Sequence, residues 1–150
     1  MTAERTRHKR DLSKLDYERL AEFRYLLRRF LVFSEEAAGQ AGLTAQQHQA
    51  LLAIKGFPGR EQVTIGELAE RLGIRHHSTV GLIDRLATNS LVKRSDVADD
   101  KRQVLISLTR KADNLLATLS VAHHAELERL APLLQVLLGQ FEREGKTRRR

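Results

Sequence analysis

Two short apolar-periodic segments, parted by the tight turn Leu72-Gly73-Ile74 and followed at once by a pair of β-type runs, constrain this sequence more than any other feature. Thr64-Ile65-Gly66-Glu67 has the capping-box pattern and opens the first segment, in which Ile65, Leu68, Ala69 and Leu72 share a face before Gly73 closes it. The second is expected to be helical from about His76 to Thr88, with Val80, Ile83 and Leu86 or Ala87 turned inward. Leu91-Val92-Lys93-Arg94 and Val104-Leu105-Ile106-Ser107-Leu108 then pair as strands. The stretch from Ser95 to Arg102 between them is polar, too long for a two-residue hairpin turn, and reads as a loop.

Helical patterns flank this region. Leu12, Leu15, Leu20, Phe23, Leu27 and Phe30 recur at helical spacing between Leu12 and Ala38, with Gly39 and Gly42 as the stop. So wide an apolar face exceeds what one small core covers, and a second copy of the chain is the expected partner. Thr44-Ala45-Gln46-Gln47 caps another helix, which ends before the turn Gly56-Phe57-Pro58-Gly59. From Thr109 a long helix carries Leu115, Leu116, Leu119, Leu127 and Leu130, and Pro132 is expected to kink or divide it. The fold class is therefore mainly α with a small β wing. A winged helix-turn-helix over residues 44–110 lies between an N-terminal dimerisation helix with a basic tail (1–43) and C-terminal dimerisation helices with a basic tail (111–150).

Charge points to a polyanionic partner. The net +7 is unevenly spread: residues 60–111 hold 10 basic and 7 acidic side chains, both tails are basic, and 112–142 are net acidic. With no cysteine there is no disulfide framework or thiolate metal site. No apolar run approaches the roughly 20 residues that span a bilayer, and the charged N-terminus MTAERTRHKR is no secretory signal. No membrane partner is expected, and a cytoplasmic location is the default. No Gly-rich phosphate loop, ligand-spaced His/acid pair or cysteine nucleophile is present, so neither an enzyme nor a cofactor is expected.

In a helix-turn-helix the second helix enters the major groove of duplex DNA. Here it would expose Arg75, His76, His77, Ser78, Thr79 and Asp84 or Arg85. Arg75, Lys93 and Arg94 are placed as phosphate contacts, and His76, His77, Ser78 and Thr79 as base contacts. Lys101 and Arg102 stand on the hairpin, where they would reach a minor groove. A winged helix can instead serve a protein partner, but neutral wing and helix positions would favour that use, and these are basic.

The residues Ile65 to Leu72, Ser78-Thr79-Val80, Ile83-Asp84-Arg85-Leu86, Leu91-Val92, Arg94 and Asp100-Lys101-Arg102 before Val104 to Thr109 resemble the multiple antibiotic resistance regulator (MarR) family. The resemblance implies a triangular homodimer, interlocked N- and C-terminal helices, a near-palindromic double-stranded operator, and a repressor released by a small-molecule effector. It also implies that Arg102 is the wing arginine and that Asp100 positions it. Three departures stand out. Arg75 and His76 occupy the usual small polar cap, Ser90 replaces a glycine before the first wing strand, and Ala112 replaces one after Leu-Thr. A small aromatic or phenolic effector would find Tyr17, Phe23, Tyr25, Arg28 and Phe30 on the first helix, with His48 opposite. A metal-responsive variant is disfavoured, because His76-His77 and His123-His124 are adjacent pairs that point about 100° apart on a helix; no metal ligand is assigned.

Overall fold

The structure is a computed structural model that describes the backbone of residues 12–97 and 100–147, and the side chains of 12–96 and 103–147. In chain order it contains α1 (Lys14–Gln40), α2 (Ala45–Lys55), β1 (Gln62–Val63), α3 (Ile65–Leu72), α4 (His76–Thr88), β2 (Val92–Val97), β3 (Asp100–Leu108) and α5 (Arg110–Thr147). Both capping boxes form. Thr44 accepts from the Gln47 N–H at 3.1 Å while Gln47 accepts from the Thr44 N–H at 3.0 Å. Thr64 and Glu67 exchange the same pair of bonds at 3.2 and 2.9 Å. Each box satisfies two amides that a helix start otherwise leaves without an internal partner.

Three elements differ from expectation. The strands run further toward each other than the polar stretch indicated, so much of Ser95 to Arg102 is strand, paired as far as Val97 with Asp100. β1 was not anticipated: Gln62 and Val63 pair antiparallel with Ser107 and Ile106, which makes a three-stranded sheet of order β1-β3-β2. Of the expected kink or division at Pro132, the division does not occur: α5 is helical on both sides of it. One missing N–H is tolerated there because Leu130 and Leu137 are buried and Leu134 packs against them.

Packing groups the residues into two compact units, one made of residues up to Leu31 with those from Leu127 onward, the other of Val32–Glu126. α1 and α5 are long enough to contribute to both. In the second unit the core is built by Leu51 and Ile54 of α2, Val63 of β1, Leu68 of α3, Leu82, Ile83 and Leu86 of α4, and Ile106 of β3. Ala38 from the end of α1 and Ala112, Leu116 and Leu119 from the start of α5 complete it. In the first unit Leu26, Leu130 and Leu137 are buried, with Phe23, Phe30, Leu134 and Phe141 against them. That unit also leaves Leu15, Leu20, Leu27, Leu133, Val136 and Leu138 exposed and holds an open groove of about 400 Å³ between Leu26 and Leu137.

Candidate nucleic-acid interface

The turn between α3 and α4 sets the site. Gly73 takes φ +65°, the left-handed region that glycine enters without a Cβ penalty, and its N–H bonds back to Ala69 and Glu70. Glu67 holds the start of α3 and also pairs with Arg60. The Thr64 N–H is the chief cause keeping the Glu67 carboxyl below the usual carboxylate range, with the Thr64 side chain and Arg60 adding to it against the opposing effect of burial.

α4 buries Thr79, Leu82, Ile83 and Leu86 and exposes Arg75, His76, His77, Ser78, Asp84 and Arg85. Five of the six α4 residues expected to face a duplex are thus accessible: Arg75, His76, His77, Ser78 and Arg85. Thr79 is not. It is fully buried, and its hydroxyl donates to the Arg75 carbonyl at 3.0 Å, so it supports the helix from within and cannot read a base. Val80, expected inward, is exposed instead. The start of α4 has no side-chain cap, as Arg75 in the capping position implied.

The wing cations divide. Arg94 pairs with Asp84 in an exposed ion pair that links β2 to the outward face of α4. Lys93 is its neighbour on the strand and therefore points to the other face of the sheet. There it lines a polar recess of about 260 Å³ with Lys55, Glu61, Gln62, Ser107 and Asp113. The two cannot face one duplex surface together. β3 carries Asp100, Lys101 and Arg102, whose side chains lie outside the described residues, so the implied bond from Asp100 to Arg102 does too.

The turn into the wing is held from three sides. Ser90 takes φ +58° where the resemblance led one to expect glycine. Its carbonyl accepts from the Thr109 hydroxyl at 2.7 Å, the Leu91 carbonyl accepts from the Thr109 N–H at 3.1 Å, and the Asn89 carbonyl accepts from Lys111 Nζ at 3.1 Å.

Two polar clusters escaped sequence reasoning. Lys55 Nζ lies 3.1 Å from Glu61 and 3.0 Å from Asp113, which ties the end of α2 to α5, and hydrogen bonding to Asp113, then to Glu61, raises its pKa. His48 and His123 are both buried, with ring centroids 4.8 Å apart. His123 Nδ1–H donates to the Leu119 carbonyl at 2.6 Å, so Nε2 meets the Ser34 hydroxyl at 2.8 Å as an acceptor when the ring is neutral. His48 Nδ1 is buried with no hydrogen-bond partner. Burial, and then His123, lower the His48 pKa from its ordinary value. A depressed folded-state pKa means that the unfolded chain binds the proton more readily, so this contribution to stability is intact above about pH 6.5 and is lost as pH falls toward the folded-state pKa. The melting temperature is therefore expected to drop between about pH 7 and pH 5, and to drop less in His48→Gln. Equal acid sensitivity of the two proteins would remove His48 as the cause.

Tyr17, Tyr25 and Arg28 are exposed, with Arg29 stacked over Tyr25 at 5.7 Å. Phe23 and Phe30 belong to the apolar core of the first unit, whereas His48 belongs to the second and faces His123. Among the described residues no group of three or more His, Asp or Glu is placed to hold a metal ion, and no helix is long and apolar enough to cross a membrane.

Comparison with known proteins gives three results. Residues 41–103 match the model of the MarR family. YfiV of Bacillus subtilis (strain 168), an uncharacterized HTH-type transcriptional regulator, is 36% identical over 81 residues, covering 54% of this chain and 51% of that protein. The chain thus spans about half the length of this curated relative. Among solved structures, RV1404 from Mycobacterium tuberculosis superposes with a TM-score of 0.70 at 18% identity, over 91% of this chain and 97% of that one. AbsC, a MarR family transcriptional regulator from Streptomyces coelicolor, gives 0.67 at 18% identity over 87% and 99%. A mutant of S. aureus MepR bound to an oligodeoxyribonucleotide gives 0.62 at 18% identity over 92% and 96%. At these identities the structures establish a shared fold.

Proposed function

We propose that this chain, whose residues 41–103 match the model of the MarR family, is a sequence-specific regulator of transcription that binds double-stranded DNA as a homodimer. The observation that carries this reading is the outward face of α4, where Arg75, His76, His77, Ser78 and Arg85 are exposed on a helix fixed from behind by Leu82, Ile83 and Leu86. An α-helix fits the major groove, and these side chains offer donors to phosphates and base edges. The S. aureus MepR mutant with its bound oligodeoxyribonucleotide, similar in fold, supports the same use. The exposed leucines of α1 and α5 in the first unit support pairing with a second copy, which would set two recognition helices about 10 base pairs apart. As such a regulator the protein acts in the cytoplasm.

Selection from a random duplex library tests the proposal, with the number of chains per bound site measured by sedimentation. Enrichment of a near-palindrome occupied by two chains is expected. Equal weak binding to every duplex would favour the protein-interaction use of the winged helix. On the selected site Arg102→Ala is expected to weaken binding by about 1–3 kcal/mol, with a similar loss on scrambled duplex if the wing grips the groove irrespective of sequence. Wild-type affinity in this variant would remove the wing from the account.

A further inference from the structure

Two neighbouring positions on α4 give up local stability with no return inside the protein. At position 79 a hydroxyl-bearing residue is fully buried, while at position 80 a valine is 37% exposed. Exchanging the two would bury more apolar surface and expose the polar group, which is the arrangement folding favours. Thr79 is accommodated only because its hydroxyl bonds back to the Arg75 carbonyl. At position 81 a glycine stands inside the helix, where it costs stability relative to alanine. A Cβ added there would meet only the Arg85 guanidinium, at the ordinary contact distance of 3.6 Å. Neither packing nor backbone conformation requires Gly81, for it is not among the residues with positive φ.

Both departures sit on the outward side of α4, among the polar residues His77, Asp84 and Arg85. Valine is the apolar exception in that company, and the glycine beside it opens the helix surface next to its methyls. Only one of the four bases presents a methyl group in the major groove, the 5-methyl of thymine, and apolar side chains read it by contact. We propose that Val80 is a specificity-determining residue that packs against a thymine 5-methyl group in each half-site, and that Gly81 lets the helix backbone approach the bases closely enough for that contact. The inference rests on the DNA-binding reading above and names a base class that reading leaves open.

Deoxyuridine pairs as thymine does and lacks only the methyl group, so it isolates the contact. Each thymine of the selected half-site is replaced in turn by deoxyuridine, and dissociation constants are measured by fluorescence anisotropy for the wild type and for Val80→Ala. At one position the wild type is expected to lose about fourfold in affinity, the size of one methyl group's transfer out of water. Val80→Ala is expected to bind the two duplexes equally. Gly81→Ala is expected to weaken binding to both duplexes while its melting temperature stays level or rises, which separates lost approach from misfolding. Equal wild-type binding to thymine and deoxyuridine duplexes at every position overturns the proposal, as does discrimination that survives in Val80→Ala. A wild type that binds no duplex at all overturns the DNA-binding reading itself, a different result from failure of the methyl contact alone.

Discussion

Ile83→Ala is expected to lower the free energy of unfolding by about 2–5 kcal/mol, and Val80→Ala, one turn earlier, to leave it nearly unchanged. Ile83 is fully buried on the inner face of α4, within the cluster that includes Leu51, Leu68 and Ile106. Removing three carbons there forfeits their transfer from water and leaves a cavity that neighbours on three other elements close only in part. Alanine's better helix propensity returns a few tenths of a kcal/mol, too little to change the sign. Val80 has no such surroundings, because more than a third of its surface already meets solvent. Urea unfolding with unchanged slope checks both variants. A loss below about 1 kcal/mol in Ile83→Ala would mean that the back of the recognition helix is not core, and the argument for its fixed outward face would fall with it.

The second large effect is on binding. Per subunit, Arg75 and Arg85 are exposed on α4 and Lys101 and Arg102 lie on the wing strand, whereas Arg94 pairs with Asp84 and Lys93 faces the other side of the sheet. In the proposed dimer, four cations per subunit, or about eight in all, would displace about that many counterions from the duplex. With a slope near −0.9 per contact, affinity is expected to fall about 10⁴-fold between about 50 and 200 mM monovalent salt. A titration series across that range on the selected duplex reads the slope directly. A slope of about −2 would mean that most of these cations do not meet phosphate, and the docking of α4 and the wing would need revision.

The elements that carry this site were legible wherever the signal was local. Thr44, Thr64 and Gly73 mark helix ends by their own side chains or by the lack of one, and each stands where the capping pattern put it. The missing glycine before the wing leaves Asn89 or Ser90 to accept the turn, and it is Ser90 that takes the positive φ. Local signals failed where tertiary contacts decide. β1 is two residues long, too short to show alternation, and exists because Ser107 and Ile106 offer an edge. The Thr79–Val80 inversion defeats hydrophobic periodicity, since the pattern ranks valine as the inward residue and cannot foresee a hydroxyl satisfied by a carbonyl four residues back. Alternation along β2 parts Lys93 from Arg94, because neighbouring strand residues point to opposite faces of the sheet. His48 and His123 lie 75 positions apart in the chain, and Lys55 and Asp113 lie 58 apart, so no spacing links either pair. Tyr17, Tyr25 and Arg28 are exposed on α1, and a helix face alone does not say which of its side chains a partner will cover.

The three carbonyls of Asn89, Ser90 and Leu91 all accept bonds from Thr109 and Lys111, at the very start of α5. A joint whose acceptors are all engaged does not swivel freely, and the Asp84–Arg94 pair closes the far side of the same joint. Recognition helix and wing strand are therefore set at one angle before any duplex arrives. The freedom that a loosely hinged reading head would surrender on docking has already been given up in folding, so less of the contact energy is consumed in ordering the protein. In the proposed complex such a joint would act as a gauge, favouring a groove whose width suits the angle already set.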